Sequence, residues 1–302
     1  MSSVKILITG CFGLYGFELC NLLKKHYDII GTYHQTFNEC DFKTINVDIT
    51  NFNLVKQIIY NEKPNIIIHT AAISNPVKAD AGIPKIAYKT NVLATEELAK
   101  YANEINSRLI YISTDLVYAG YRGSFLIESS KLIPVSLYAE TKLMAEEKVK
   151  EFSNNFTILR NSLMFGLYNN INNNFFNIMY HNLKSSKQVT LFNDQFRTPL
   201  SFNEASNLFL KLIELIKQDD KILKNQIANF GGQERVSRTD LGYLLCDLLN
   251  FDKNLIKPIS INDLPNLPIV KDVSMNIDKI TKFGIKPKSV KEMLEIEIEK
   301  IK

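Results

Sequence analysis

The chain begins with an apolar run, VKILITG, that breaks at Gly10 and passes through CFGLYG into the helical pattern YGFELCNLLKKH. An apolar run without strict alternation suits a strand covered on both faces, the habit of parallel sheets flanked by helices. Gly10, Gly13 and Gly16 recur at GxxGxxG spacing between that strand and the next helix. Glycines there allow a tight turn and a close backbone approach. The following helix then aims its N-terminal N–H groups and the positive end of its dipole at whatever lies in the turn. A strand, a glycine turn and a helix within the first 23 residues thus predict an α/β sheet with an anion-binding first turn.

The rest of the first half keeps that alternation. YDIIGTY, NIIIHTAA, RLIYISTDLVY and FTILRNSLMFG read as strands; NFNLVKQIIYNEKP, KTNVLATEELAKYANEIN and SLYAETKLMAEEKVK read as helices. Strands and helices in turn predict a Rossmann-type, doubly wound parallel sheet. After about Gly166 the pattern weakens into helices (FFNIMYHNLKSS, FNEASNLFLKLIELIKQ), isolated strands such as IANFGG, and Asn- and Pro-rich turns. The organisation expected is an NAD(P)-binding domain over residues 1–165 and a smaller, interleaved C-terminal α/β substrate lobe over 166–302. Within that lobe, residues 198–220 are expected to return to the first domain. NNINNNFFN is read as a polar loop running into a helix.

The glycine turn brings Gly10, Cys11, Phe12, Gly13, Leu14 and Gly16 to a dinucleotide pyrophosphate. Cys11 is a small filler there, not a nucleophile. An acid at the end of the second strand would favour NAD through its ribose 2′-hydroxyl. The sequence there is GTYHQT, which has none, so NADP(H) is preferred and NAD(H) possible, with Thr32 or His34 near a 2′-phosphate. Asp48, with Ile49, is placed at the adenine; Asp48 could equally be a helix N-terminal acid.

Three residues supply carbonyl chemistry. Thr114 ends a strand, at the sheet edge where doubly wound folds bind ligands. Tyr138 and Lys142, four residues apart, share one helix face. A tyrosine can hand a proton to a substrate oxygen, a lysine ammonium can tune that tyrosine, and a hydroxyl can orient the oxygen. Glu140, Glu146 and Glu147 on the same helix read as a solvated face.

Taken together, ITGCFGLYG, HTAA, KTNVLAT, ISTDLVYAG, YAETK, ILRNSLMFG, DQFRTPLSFNEAS and NFGGQERVSRTDL resemble the extended short-chain dehydrogenase/reductases, and within them the RmlD-like dTDP-4-dehydrorhamnose reductase family. The resemblance covers nearly the whole chain. It implies NADPH-dependent reduction of a keto group on a nucleotide-activated deoxy-sugar for surface polysaccharide. Thr114, Tyr138 and Lys142 would be catalytic, with Asn91 supporting a proton relay, and Thr70, Ala71 and Ala72 would lie beside the cofactor. It further implies that Ser74, Thr114, Asp115, Asn161, Leu163 and Arg197 face the nucleotide-sugar, with Arg197 on its diphosphate, and that a homodimer is possible. Arg160 is read either as a site arginine or as one paired with a nearby acid. Relatives carry Trp near the sugar where this chain has Leu163, and the chain has no Trp at all. Two other activities fit the same motifs: a nucleotide-sugar epimerase with bound NAD, and a regulatory NADP-binding subunit like the beta subunit of methionine adenosyltransferase.

Composition narrows the partners. A net charge of +4, spread over dispersed lysines, argues for neither nucleic acid nor a membrane surface as partner. Four cysteines without a CxxC pair suggest no metal site. The reduced thiols and the absence of an export-signal pattern suggest the cytoplasm.

Overall fold

The computed structural model describes residues 4–74, 84–168, 174–264 and 269–302. Seven strands form the main sheet: β1 (Lys5–Thr9), β2 (Asp28–Tyr33), β3 (Lys43–Asn46), β4 (Ile66–His69), β5 (Arg108–Thr114), β6 (Phe156–Asn161) and β7 (Gln226–Phe230). Their order is β7-β6-β5-β4-β1-β2-β3, and the β1–β2, β2–β3, β1–β4 and β4–β5 pairs are parallel. The sheet is the Rossmann-type arrangement expected. From β1 the chain moves outward to β2 and β3, then returns to place β4 on the other side of β1. That reversal opens a crevice beyond the ends of β1 and β4, where the Thr9–Gly10 and His69–Thr70 steps lie.

The helices α1 (Leu14–Leu23), α2 (Phe52–Glu62), α3 (Ala94–Glu104) and α4 (Leu137–Phe152) connect these strands. Leu7, Ile67, Leu109, Tyr111 and Ile158 from the sheet pack with Val55, Ile59, Leu98, Ala145 and Val149 from α2, α3 and α4 in one core. Several element ends differ from the sequence reading. β5 stops at Thr114, and Asp115–Val117 forms a 3₁₀ turn. The FTILRNSLMFG run divides into β6 and a separate two-residue strand, Met164–Phe165. The KTNVLAT stretch is not plain α-helix: Lys89–Leu93 is a π-helical turn leading into α3.

The chain divides into two compact units. The first comprises residues 1–117, 136–160 and 209–228, and holds the sheet core. The second comprises 118–135, 161–208 and 229–302. The expected boundary at 165 and returning segment 198–220 therefore stand beside an observed crossing at Arg160–Asn161 and a returning segment of 209–228. In the second unit, short strand pairs (Val189–Phe192 with Ile256–Ile259, Phe196–Arg197 with Val236–Ser237) accompany helices Phe175–Lys184, Arg238–Leu249 and Val290–Glu299. Buried Asn229 ties its separated segments, donating to Leu126 O and Asn276 O and accepting from Tyr118 Oη. Residues 169–173 of the Asn-rich loop lie outside the described residues; the helix after them starts behind an Asn174 cap. Among the described residues, no helix is long and apolar enough to cross a membrane.

Candidate active site

The glycine turn is built so that side chains would not fit. Gly10 sits at φ +69°, and a Cβ there would meet Ala71 Cα at 2.9 Å. A Cβ on Gly16 would lie 2.3 Å from the Gly10 carbonyl oxygen. Gly13 closes the turn by donating to Gly10 O at 2.9 Å, and no side chain caps α1 and no acid lies in its first turn. An open helix N-terminus beside a turn that admits no Cβ fits the pyrophosphate of a dinucleotide. Cys11 is fully buried, its sulfur packed over Gly31, and burial pushes its thiol up to about 12. That suits a filler and not a nucleophile.

At the end of β2, Thr32 is buried and its carbonyl accepts from Cys11 N, while Phe12 packs against Tyr33 and Phe37. His34 lies half-exposed with its Nε2 3.9 Å from Asp48 Oδ2. The other oxygen of Asp48 accepts from Thr50 N and Thr50 Oγ1, both at 2.8 Å, so Asp48 shapes the turn into α2 while facing His34. Ile49 is partly buried and packs against the core.

A directional hydrogen-bond chain joins the glycine strand to α3. Ala71 N donates to Thr9 Oγ1, whose own proton then goes to His69 Nδ1 at 2.7 Å. His69 Nε2 donates in turn to Thr95 Oγ1 at 2.9 Å, and Thr95 donates to the Asn91 carbonyl. One tautomer satisfies every link. Burial, and then the nearby Lys142 charge, hold the His69 imidazole down to about 3, so it is neutral. Thr70 Oγ1 donates back to Thr9 O, and Ala72 follows in the same partly buried stretch, which ends at exposed Ser74.

Asn91 sits in the π turn, a local form that recurs at functional sites. Its side chain accepts from Ile73 N (2.9 Å) and donates to Ile73 O (3.2 Å) and Thr141 Oγ1 (3.0 Å). Thr141 donates to the Tyr138 carbonyl. The amide thus fixes the Ile73 backbone to the helix that bears Tyr138, a connection invisible to helical spacing.

Ser136 caps α4 through Ala139 N, setting the helix so that Tyr138 and Lys142 point the same way. Thr114 faces the Tyr138 phenol, and its hydroxyl donates to Asp115 Oδ1 at 3.2 Å. Burial, then the Asp115 carboxylate, push the phenol well above its ordinary value, with Thr114 opposing. Tyr138 is therefore a protonated donor. Lys142 is 3% exposed, its ammonium 4.2 Å from the Tyr111 ring centre, and burial draws it down to about 7 against the pull of Glu146.

The reading of Glu146 as part of a solvated face is overturned. It is fully buried and binds Arg160, 1% exposed, through two parallel bonds, Nε to Oε1 at 3.0 Å and Nη2 to Oε2 at 2.7 Å. Ser113 Oγ adds a third bond at 2.5 Å. Arg160 is thus the arginine paired with an acid. Glu140 and Glu147 are exposed.

In the second unit, Asn161 is buried beside Met164, and Leu163 O accepts from Leu200 N. Arg197 is 4% exposed and donates to Phe196 O and Val270 O. Arg235 stacks over Phe196 while paired to Asp272, and Arg238 stacks over Phe175.

Residues 4–302 match the RmlD substrate binding domain. The chain belongs to that family. It is 30% identical to dTDP-4-dehydrorhamnose reductase of Aggregatibacter actinomycetemcomitans over 292 residues, 94% of each chain. It is 28% identical to methionine adenosyltransferase 2 subunit beta of Xenopus laevis, over 94% of this chain and 83% of that one. A dTDP-4-dehydrorhamnose reductase from Clostridium acetobutylicum superposes with a TM-score of 0.80 at 25% identity, covering 98% and 99% of the two chains. The Bacillus anthracis reductase, solved in complex with NADP, shares the fold with a TM-score of 0.84 at 24% identity, covering 99% and 100%.

Proposed function

We propose that this RmlD-family chain is an NADPH-dependent oxidoreductase that reduces a ring ketone, at C4, of a nucleotide-activated deoxy-sugar destined for surface polysaccharide. The observation that carries it is the alignment of Tyr138 and Lys142 on one face of α4 with Thr114, at the end of β5, facing the phenol. NADPH, when bound, supplies the hydride. The cradle at Gly10 and Gly16, the uncapped α1 terminus and the acid-free end of β2 are the residues that would hold it. Tyr138 donates its proton to the carbonyl oxygen, Thr114 orients that oxygen, and the Lys142 charge stabilises the phenolate left behind. A phenol raised by burial donates only to an oxygen gaining charge, which suits reduction.

Similarity to a methionine adenosyltransferase subunit supports a second reading, a cofactor-binding subunit serving another enzyme. Purified protein is mixed with NADPH and a panel of nucleotide 4-keto-sugars, and loss of the reduced-nicotinamide absorbance is followed. Turnover with one member is expected, and Tyr138→Phe should keep NADPH binding while losing more than about a hundredfold in rate. No turnover with any member, together with co-purification of another enzyme, would favour the subunit; wild-type turnover by Tyr138→Phe would remove Tyr138 as donor.

A further inference from the structure

The buried acid of α4 has no part in the pair just described, yet it lies one turn beyond Lys142 on the same face. β5 matches that face rung by rung. Tyr111 lies under the Lys142 ammonium, and two residues on, Ser113 binds the Glu146 carboxylate. β6 supplies Arg160, whose fork takes both carboxylate oxygens. Three donors therefore fix the carboxylate, and neither it nor its arginine reaches solvent. A buried ion pair is weak evidence of stabilisation, because apolar residues of the same shape do as well. A fixed anion beside a desolvated ammonium has a clearer use.

We propose that Glu146, clamped by Arg160 and Ser113, is a positioning residue for the reaction: it sets the charge of Lys142 and so the readiness of Tyr138 to give up its proton. The proposal rests on the reading of Tyr138 and Lys142 as the catalytic pair. Lys142 is faced by Glu146 from its own helix, by the Tyr111 ring from β5 and by neutral His69 from β4; Tyr138 stands one turn before it on the same helix face, beside Tyr111 and Asp115. Glu146 is the anion in this set that supports the ammonium against desolvation. Arg160 partly cancels that anion, so the pair works as a setting and not as a maximum. Without Glu146 the ammonium would lose its proton more readily and Tyr138 its cation; without Arg160, Lys142 becomes the cation left to the carboxylate.

The two halves of the clamp should therefore move Lys142 in opposite directions, which a merely structural pair would not do. The test uses full-length apoprotein labelled with ¹³C-lysine, following the Lys142 Cε resonance against pH, assigned by its loss in Lys142→Arg. Glu146→Gln should move the Lys142 midpoint about one pH unit lower, and Arg160→Met should move it higher. If Glu146→Gln does not fold, Arg160→Met alone still tests the sign. The alkaline limb of kcat/KM for the reduced ketone should follow the same two shifts. Unchanged midpoints, or shifts of the same sign in both folded variants, would overturn the proposal. The resonance needs no turnover. A wild-type protein that reduces no ketone while the midpoints still split would refute the catalytic pair and leave the charge coupling standing.

Discussion

Gly16→Ala is the sharpest probe of the glycine turn. A Cβ at that position would lie 2.3 Å from the Gly10 carbonyl oxygen, 3.0 Å from its carbon and 3.1 Å from Thr70 Oγ1. The obstructing atoms are backbone and cannot rotate away, so α1 must move from the turn by roughly 1 Å, an overpacking cost of about 1–3 kcal/mol. Alanine's better helix propensity returns up to about 1 kcal/mol. The net loss, about 1–2 kcal/mol, should lower Tm by a few degrees in a chain of this size. Binding should suffer more, because the displaced element is the helix end that meets the pyrophosphate; a Kd for NADPH at least about tenfold weaker is expected. Gly13→Ala is the internal control, since its Cβ would meet only Gly10 O, at 3.2 Å, and a small local shift relieves it. Both variants are measured by thermal melting of the apoprotein and by titration of NADPH fluorescence. Gly16→Ala with wild-type Kd and Tm, or Gly13→Ala losing more than Gly16→Ala, would refute the steric argument.

Asn91→Ala removes three bonds, one of them fully buried, and strands Ile73 N, so a loss of about 2–3 kcal/mol in urea unfolding is expected, together with a fall in kcat; unchanged stability would mean that the link from Ile73 to α4 contributes nothing to the fold. His69 is neutral when folded, at about 3, and protonates near 6.5 when unfolded. Its contribution is therefore fully present above pH 6.5 and is lost as pH falls from 6.5 toward 3. His69→Gln should flatten the stability-versus-pH curve across that window by roughly 4–5 kcal/mol, read by denaturant melts at successive pH values; parallel curves would sink the assignment. Arg197→Ala removes the arginine donor from the Val270 carbonyl and leaves Phe196 O with Val273 N, so Tm should fall; a raised KM for the nucleotide-sugar at unchanged Tm would instead return Arg197 to the diphosphate.

The fold was legible because its signals are local. An apolar run, a glycine turn and a helix at the head of the chain report on β1 and α1 with no help from distant residues, and each further strand repeats the lesson. The placement of Tyr138, Lys142 and Thr114 was legible for the same reason: two lie one turn apart on a helix, and the third ends a strand. The π turn at Asn91 was not. KTNVLAT has ordinary helical composition, and the distortion goes with bonds to Ile73 and Thr141, eighteen and fifty residues away. The division between units was blurred likewise, since residues 118–135 leave the first unit for contacts with segments such as Ser274 and Asn276 that sequence spacing does not reveal.

Glu146 shows how a reading of one helix can follow a face for two positions and lose it at a third. Tyr138, Lys142 and Glu146 follow at four-residue steps, so whatever face buries the first two must carry the third inward as well. Composition argued otherwise, because Glu and Lys at such spacing usually make solvated i,i+4 pairs. What decides between these readings is a counter-charge. A glutamate enters a core only where a cation and donors await it, and those come here from Arg160 on β6 and Ser113 on β5. Both strands were assigned from sequence, and Arg160 was read either as a site arginine or as one paired with a nearby acid. One more turn along that face carries the acid, the third member of the row that begins at Tyr138.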